Sequence, residues 1–303
     1  MHALLDELAG RAEQAKLDAV GNERNLTVIA SSIAVGAVGT AILGMFLFGE
    51  SRDAARLACI GLIVVVIMAM VQFDRQYRQV LDIRQKQEAL EKELQSAARY
   101  VESLLPPPGA ILPGVQMVHV YRPSLALGGD LFNIVPWSDD FLGLYLLDAS
   151  GHGVSPALRS SSFATFLRRD SLLRHVGSND PGAILTEANK QFPLTESGHY
   201  FTIVFASLDL RCHSLSYATA GHGGVLLHRR SGEVCWMAQP NLPLGFDSST
   251  TYVTVTLPIG PGDRLYLLSD GLYEFPAASG VLWGKSRLEK TIQALGQQPL
   301  ETV

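Results

Sequence analysis

Three short acidic motifs carry the chemistry in this chain. The first is Gly128-Gly129-Asp130, the second Asp148-Ala149-Ser150-Gly151-His152-Gly153, and the third Ser269-Asp270-Gly271-Leu272-Tyr273-Glu274. Each aspartate adjoins an apolar, strand-like run and is flanked by small residues. A sheet delivers carboxylates to a hard divalent cation in this way. Mg²⁺ and Mn²⁺ take oxygen ligands in near-octahedral geometry and keep several waters. Strand ends are stiff enough to hold carboxylates close together. Neighbouring glycines let the backbone approach closely enough to offer a carbonyl.

The elements that must position these motifs lie after residue 110. Val115–Tyr121, Leu131–Trp137 and Phe141–Leu147 read as strands, Ser155–Val176 and Pro181–Phe192 as helices. Tyr200–Leu210, Ser214–Thr219, Val225–Arg230, Glu233–Met237, Tyr252–Leu257 and Arg264–Leu268 read as further strands, and Leu282–Leu295 as a closing helix. Strand runs interrupted by a paired helical block predict an α+β domain on antiparallel sheets.

The first third of the chain is different. Residues 1–25 form a polar, helix-prone tail expected in the cytoplasm, and Leu26–Phe48 and Leu57–Phe73 are free of charged residues. At about 1.5 Å per residue the first run spans a hydrocarbon core of roughly 30 Å, and the second is near the lower limit. A transmembrane hairpin over 26–73 follows, without a cleaved signal peptide. Arg11, Lys16 and Arg24 precede it and Arg75, Arg78, Arg84 and Lys86 follow it, against Arg52 and Arg56 in the connecting loop. The positive-inside rule then puts both ends in the cytoplasm of an inner membrane, with an external loop too short for a sensor domain.

Between hairpin and domain, a heptad spacing picks out Phe73, Gln76, Val80, Ile83, Gln87, Leu90, Leu94, Ala97, Val101 and Leu104. The pattern predicts a coiled-coil helix over 74–105 of about four heptads, and a homodimer through it. A single amphipathic helix lying on its own domain fits the same pattern. Pro106-Pro107-Pro108-Gly109 ends the helix.

Composition agrees with a membrane-tethered soluble domain over 110–303. The 303 residues are 47% hydrophobic with a mean hydropathy of +0.17. A net charge of −5 leaves no basic footprint for nucleic acid. Three scattered cysteines, Cys59, Cys212 and Cys235, form no CxxC and read as reduced.

From about residue 94 to 290 the chain resembles the bacterial PPM-type (protein phosphatase 2C-like) serine/threonine phosphatases, in the branch of sporulation stage II protein E and the stress-response regulators. The resemblance rests on Leu94-Gln95-Ser96-Ala97-Ala98-Arg99 running into Leu104-Leu105-Pro106, on the three acidic motifs, and on Ala220-Gly221-His222, Leu242-Pro243-Leu244-Gly245 and Gly262-Asp263, in that order. It implies a β-sandwich flanked by helices and two Mn²⁺ or Mg²⁺ ions between the sheets. Asp148, Asp130, Asp270 and the Ala149 carbonyl would supply the oxygens. Two cations would neutralise a phosphomonoester dianion and lower the pKa of a bound water, which would attack phosphorus in line. His152 would either protonate the leaving oxygen or orient its loop. His222 reads as structural, and Glu274 as supporting a ligand. The implied substrate is a phosphoserine or phosphothreonine on a regulatory protein of the anti-sigma-factor-antagonist type.

Two departures stand out. Asn133 occupies a position where the family commonly has a second Asp. The family's closing Asp-Asp-x-Thr strand is absent before Val303, which leaves the cation site served by Asp270 open to two readings, a truncated form of a longer chain or a weakened site. The alternative reading is a catalytically weak or inactive phosphatase-fold signalling adaptor.

Overall fold

The computed structural model describes residues 36, 38–39, 42, 52–107, 114–123, 126–151, 153–194, 198–237, 239–277, 280–296 and 298–300. The chain divides into two compact units, Met1–Leu90 and Glu91–Val303. One helix, α1 (Arg52–Glu102), runs through the boundary. In the first unit its early turns are apolar all round: Leu57, Ile60, Val64, Val65, Met68 and Val71 are all exposed. From Cys59 the helix is long and apolar enough to cross a membrane, and none of its apolar window is buried. The tail over 1–25 lies outside the described residues, as does nearly all of the first apolar run.

The second unit is built from antiparallel strands. After β1 (Leu131–Ser138) and β2 (Phe141–Ala149) come helices α2 (Val154–Phe166), α3 (Arg169–His175) and α4 (Pro181–Gln191). Then follow β3 (Phe201–Asp209), β4 (Ser214–Ala220), β5 (Val225–His228), β6 (Val234–Trp236), β7 (Val255–Pro258) and β8 (Arg264–Leu267). A 3₁₀ turn, Asp270–Leu272, and helix α5 (Lys285–Leu295) close the order. Strands pair as β1-β2-β3-β4-β7 in one sheet and β6-β5-β8 in the other.

Strand alternation decides which side chain faces which layer. On β3, Phe201, Ile203 and Phe205 join a core with Phe163 and Phe166 of α2, Leu172 of α3, and Ile184 and Leu185 of α4. The intervening Val204 and Ala206 pack with Leu146 of β2 and with Val225 and Leu227 of the small sheet. The outer face of the small sheet, with Leu226 and Tyr266, is covered by Leu288 and Ile292 of α5. The unit is therefore four layers: helices, large sheet, small sheet, helix. This is the antiparallel α+β architecture the strand pattern predicts, with the stacked sheets the resemblance implies.

Two elements differ from the sequence reading. Val115–Tyr121 is not a strand: only Val115 makes a bridge, while His119 and Tyr121 lay their rings against Phe132. Ser155–Val176 is two helices, because Arg168 is extended (φ −66°, ψ 142°). Leu167 and Leu172 are both fully buried. Five residues apart on a continuous helix they would point about 140° from each other, and the break lets both enter the core. Helix α4 starts as its sequence specifies, with Asp180 capping the Ala183 amide at 2.8 Å and Pro181 in the first turn.

The heptad pattern of α1 serves two purposes. Its last positions, Leu94, Ala97, Val101 and Leu104, pack with Leu127, Leu131, Ala157 and Ala164 of the domain. Those four are committed to the chain's own core, which corrects the coiled coil at its C-terminal end. Val80, Ile83 and Leu90 remain exposed.

The small sheet requires one close backbone approach. The Leu268 amide donates to the Gly224 carbonyl at 2.7 Å, and a Cβ on Gly224 would fall onto the Leu268 carbonyl oxygen. Gly224→Ala is expected to cost about 3 kcal/mol through overpacking, read as a lowered urea midpoint. Gly232→Ala, where the space for a Cβ is open, should keep more of the stability despite its positive φ.

Candidate functional site

The register of the first strand pair brings the two leading carboxylates together. Leu131 pairs with Leu147, so Asp130, one step earlier, lies opposite Asp148. Alternation then fixes their side. Asp148 shares the parity of Leu146, which faces the gap between the sheets. Asp130 shares that of Phe132, packed against the same cluster. Both carboxylates thus sit at the mouth of the inter-sheet gap and hydrogen-bond each other. The third comes from the small sheet. Strand β8 ends at Leu267, and the 3₁₀ turn puts Asp270 within electrostatic reach of both.

Burial and mutual repulsion act in the same direction here. The Asp148 carboxyl is pushed up to about 7, first by burial, then by the negative charges of Asp130 and Asp270, with Glu274 adding to them. Asp130 is also raised by burial and by Asp270, against the stabilising hydrogen bonds of Ser269 and Asp148. Without a counter-charge, burial and mutual repulsion make the pair hold a proton above the ordinary carboxylate range.

The backbone around the pair is set by glycine. A Cβ on Gly129 would stand 2.9 Å from the Ala149 carbonyl oxygen, so only glycine lets the two segments come this close. Ser160 of α2 donates to the Gly129 carbonyl at 2.5 Å. On the other flank the Ser150 amide donates to the Tyr200 carbonyl, the Tyr200 amide donates to Ser150 Oγ, and His199 Nδ1 donates to the Ser150 carbonyl, each at 2.9 Å.

An all-oxygen set of crowded carboxylates with an adjacent carbonyl suits a hard cation in donor type and charge. Among the described residues, however, no three His, Cys, Asp or Glu side chains are arranged to hold a metal. Asp130 and Asp148 are brought together, and Asp270, exposed on its 3₁₀ turn, lies within electrostatic reach of both. His152 lies outside the described residues. Asn133 has a structural task, its amide donating to the Leu104 carbonyl at 2.5 Å and tying β1 to the end of α1.

Several residues of the site are not apparent in the sequence. Ser269 holds Asp130. Thr202, the cross-strand partner of Asp148, lies 3.3 Å from His222 Nδ1. Lys285 sits over the rings of Trp236 and Tyr273 and donates to the Gly223 carbonyl at 2.9 Å, which ties the start of α5 to the turn that follows Asp270. Only Ser269 lies within a motif; the others depend on register and layer packing.

With this geometry in place, comparison with known proteins is decisive. Residues 138–303 match the family model described as "Stage II sporulation protein E (SpoIIE)". The chain belongs to this family. It is 25% identical over 197 residues to "Phosphoserine phosphatase RsbP" of Bacillus subtilis, covering 63% of this chain and 47% of that protein. It is 24% identical over 226 residues to "Protein IcfG" of Synechocystis sp., covering 67% and 36%. The chain therefore spans half or less of the length of these curated relatives. Among solved structures, the SiaA-PP2C domain of Pseudomonas aeruginosa superposes with a TM-score of 0.61 at 25% identity, over 71% of this chain and 86% of that one. The Glu91–Val303 unit is a PP2C-like fold.

His222 is structural, as its sequence context suggested, and its titration gives a test. The ring is buried, and burial lowers its pKa from 6.5 to about 4, with Lys285 opposing the charge and the Leu268 carbonyl favouring it. Its Nε2 makes no well-aligned hydrogen bond. The unfolded chain binds the proton first, so stability contributed by the neutral ring is lost as pH falls from about 6.5 towards about 4. Between pH 7.5 and 5 the loss is about 2 kcal/mol. Urea unfolding of a His222→Gln variant is expected to lack that part of the acid dependence.

Proposed function

We propose that this chain is a metal-dependent protein phosphatase that hydrolyses phosphoserine or phosphothreonine on a regulatory protein. The observation that carries the reading is the Asp130–Asp148 pair, two carboxylates facing each other across β1 and β2 with a third acidic residue in range. Membership of the SpoIIE family and similarity to a protein named a phosphoserine phosphatase support it.

In this reading Asp130, Asp148 and the Ala149 carbonyl hold Mn²⁺ or Mg²⁺, two ions in all, and Asp270 reaches them directly or through water. When bound, the ions supply charge neutralisation for the phosphoryl oxygens and a more acidic water. The chain's own part is positional. Gly129 keeps the Ala149 carbonyl accessible, Ser269 orients Asp130, and Thr202 and His222 back the strand behind Asp148. His152, by its place in the second acidic motif, is given the role of proton donor to the leaving oxygen or of orienting its loop. The substrate, following the family resemblance, is a small phosphorylated regulator of the anti-sigma-factor-antagonist type.

A second reading is favoured by one observation. No three metal-binding side chains group among the described residues, as suits a phosphatase-fold adaptor that binds a phosphoprotein without turning it over. The two readings separate cleanly. Phosphate release from a phosphoserine protein should require Mn²⁺ or Mg²⁺ and stop with EDTA. Asp148→Asn should lower kcat at least about 100-fold while leaving the fold intact. Metal-independent turnover would exclude the first reading, and no turnover at saturating Mn²⁺ would favour the adaptor.

The proposal extends to the membrane. The chain is held in the inner membrane by two spans with the catalytic unit in the cytoplasm, and it pairs with a second copy along the upstream part of α1. The composition of α1 and its exposed Val80, Ile83 and Leu90 support this. Discrete helix packings could then bias the site. The full chain should stay with the membrane after a high-salt wash. There, Ile83→Asp with Leu90→Asp should reduce crosslinked dimer severalfold. An unchanged crosslinking yield would make α1 a spacer.

A further inference from the structure

The loop Leu242-Pro243-Leu244-Gly245 belongs to none of the chemistry above, yet it is held more firmly than surface loops usually are. Pro243 is pressed onto Gly221, where a Cβ would stand 2.7 Å from the proline ring, and Gly221 has a positive φ of 67°. Gly245, at φ 91°, lies against the backbone of Phe192–Leu194, with a Cβ position 2.7 Å from the Leu194 nitrogen. Hydrogen bonds complete the fixation. The Leu244 amide donates to the Phe201 carbonyl at 2.9 Å, the Gly245 amide to Asn189 Oδ1 at 2.8 Å, and Asn241 Nδ2 to the Thr219 carbonyl at 2.9 Å.

What this rigid loop presents to solvent is apolar. Leu242 and Phe246 are each 48% exposed, and Leu194, whose amide donates to the Gly245 carbonyl, is 42% exposed. Single exposed apolar residues need no explanation. Here they come from one loop and the segment bonded to it, and they lead to the site. The Phe246 ring meets Tyr200 edge-on at 5.0 Å, and Tyr200 is doubly hydrogen-bonded to Ser150, two residues from Asp148. The next residue, Phe201, carries the Arg159 guanidinium 5.1 Å above its ring. Arg159 Nη1 is shielded from solvent and has no acceptor. A donor left so is costly unless a ligand supplies the acceptor.

We infer that Phe246, Leu242 and Tyr200, together with Arg159, form the docking shelf for the protein segment that carries the phosphoserine, taking one apolar and one acidic side chain that flank it. This rests on the phosphatase-fold reading of the adjacent carboxylates and adds the class of substrate sequence. Continuity of the shelf with the Asp148 loop sets the occupant as the phosphorylated segment itself, and the partly exposed Arg159 guanidinium, with its Nη1 donor unmet, sets its charge.

The test uses the full chain in detergent with Mn²⁺ and fluorescent phosphoserine peptides. Leu or Gly, and Glu or Gln, are placed in turn at positions three before to three after the phosphoserine. The phosphoserine is supplied as its non-hydrolysable phosphonomethylene analogue and binding is read by anisotropy, so the result does not depend on turnover. At one position Leu should bind about tenfold more tightly than Gly, and at another Glu more tightly than Gln. Phe246→Ser and Leu242→Ser should erase the Leu preference, Phe246→Leu should keep it, and Arg159→Gln should erase the Glu preference. Absence of any flanking preference in the parent, or preferences that survive these substitutions, overturns the inference. p-Nitrophenyl phosphate turnover, measured alongside, reports separately on the catalytic reading. If Arg159→Gln weakens every phosphopeptide equally and lowers that turnover by the same factor, Arg159 serves the phosphoryl group and the docking role given to it is wrong.

Discussion

Two like charges held face to face are the constraint on which the rest of this structure depends. Asp130 and Asp148 oppose each other across an antiparallel pair, half-buried at the end of the gap between two sheets. Such a placement is unfavourable for the folded chain alone, and the raised Asp148 carboxyl records it. It persists because the surroundings over-determine it: nine paired positions from Ala149 to Phe141 run along β3, and α2 is fastened to Gly129 through Ser160. The strain that a cation would relieve is thus supported by packing far from the carboxylates.

The four-layer arrangement explains why three separate motifs converge. Alternation along β1 and β2 sends Asp130 and Asp148 into the inter-sheet gap, and β8 lies on the opposite wall with Leu265 and Leu267 packed in the same cluster. Asp270 therefore arrives from across the gap. The close backbone approaches at Gly129 and Gly224 bring the walls and loops near enough for this, and a methyl group at either would hold them apart. Lys285, between two aromatic rings and the Gly223 carbonyl, fixes the turn after Asp270 to the small sheet. The same economy is visible at Asn133, whose amide has become a fastener for the end of α1.

Helix α1 illustrates how one periodic pattern can serve two environments. Its heptad positions are continuous from Phe73 to Leu104, but the last four are covered by the chain's own Leu127, Leu131 and Ala157, whereas Ile83 and Leu90 are not covered by it. A periodic apolar stripe specifies that one face be buried, and leaves open against what.

The sequence by itself determined the class of the domain, the strands β1 to β8 in outline, the apolar character of α1, and the acidic motifs with their glycines. These are local properties: a period of two, a run of apolar residues, a small residue where backbone must come close. Only the tertiary structure decided that Asp130 and Asp148 face each other across one strand pair while Asp270 approaches from the other sheet, because their grouping depends on register and on the spacing of two sheets. The same holds for Ser269, Thr202, His199 and Lys285, whose partners lie on other elements. It holds also for the break at Arg168, where Leu167 and Leu172 must both enter the core. Val115–Tyr121 has a strand's composition, but its His119 and Tyr121 rings pack on Phe132. Propensity describes a residue's preference, and the packing of these rings on Phe132 overrides it here.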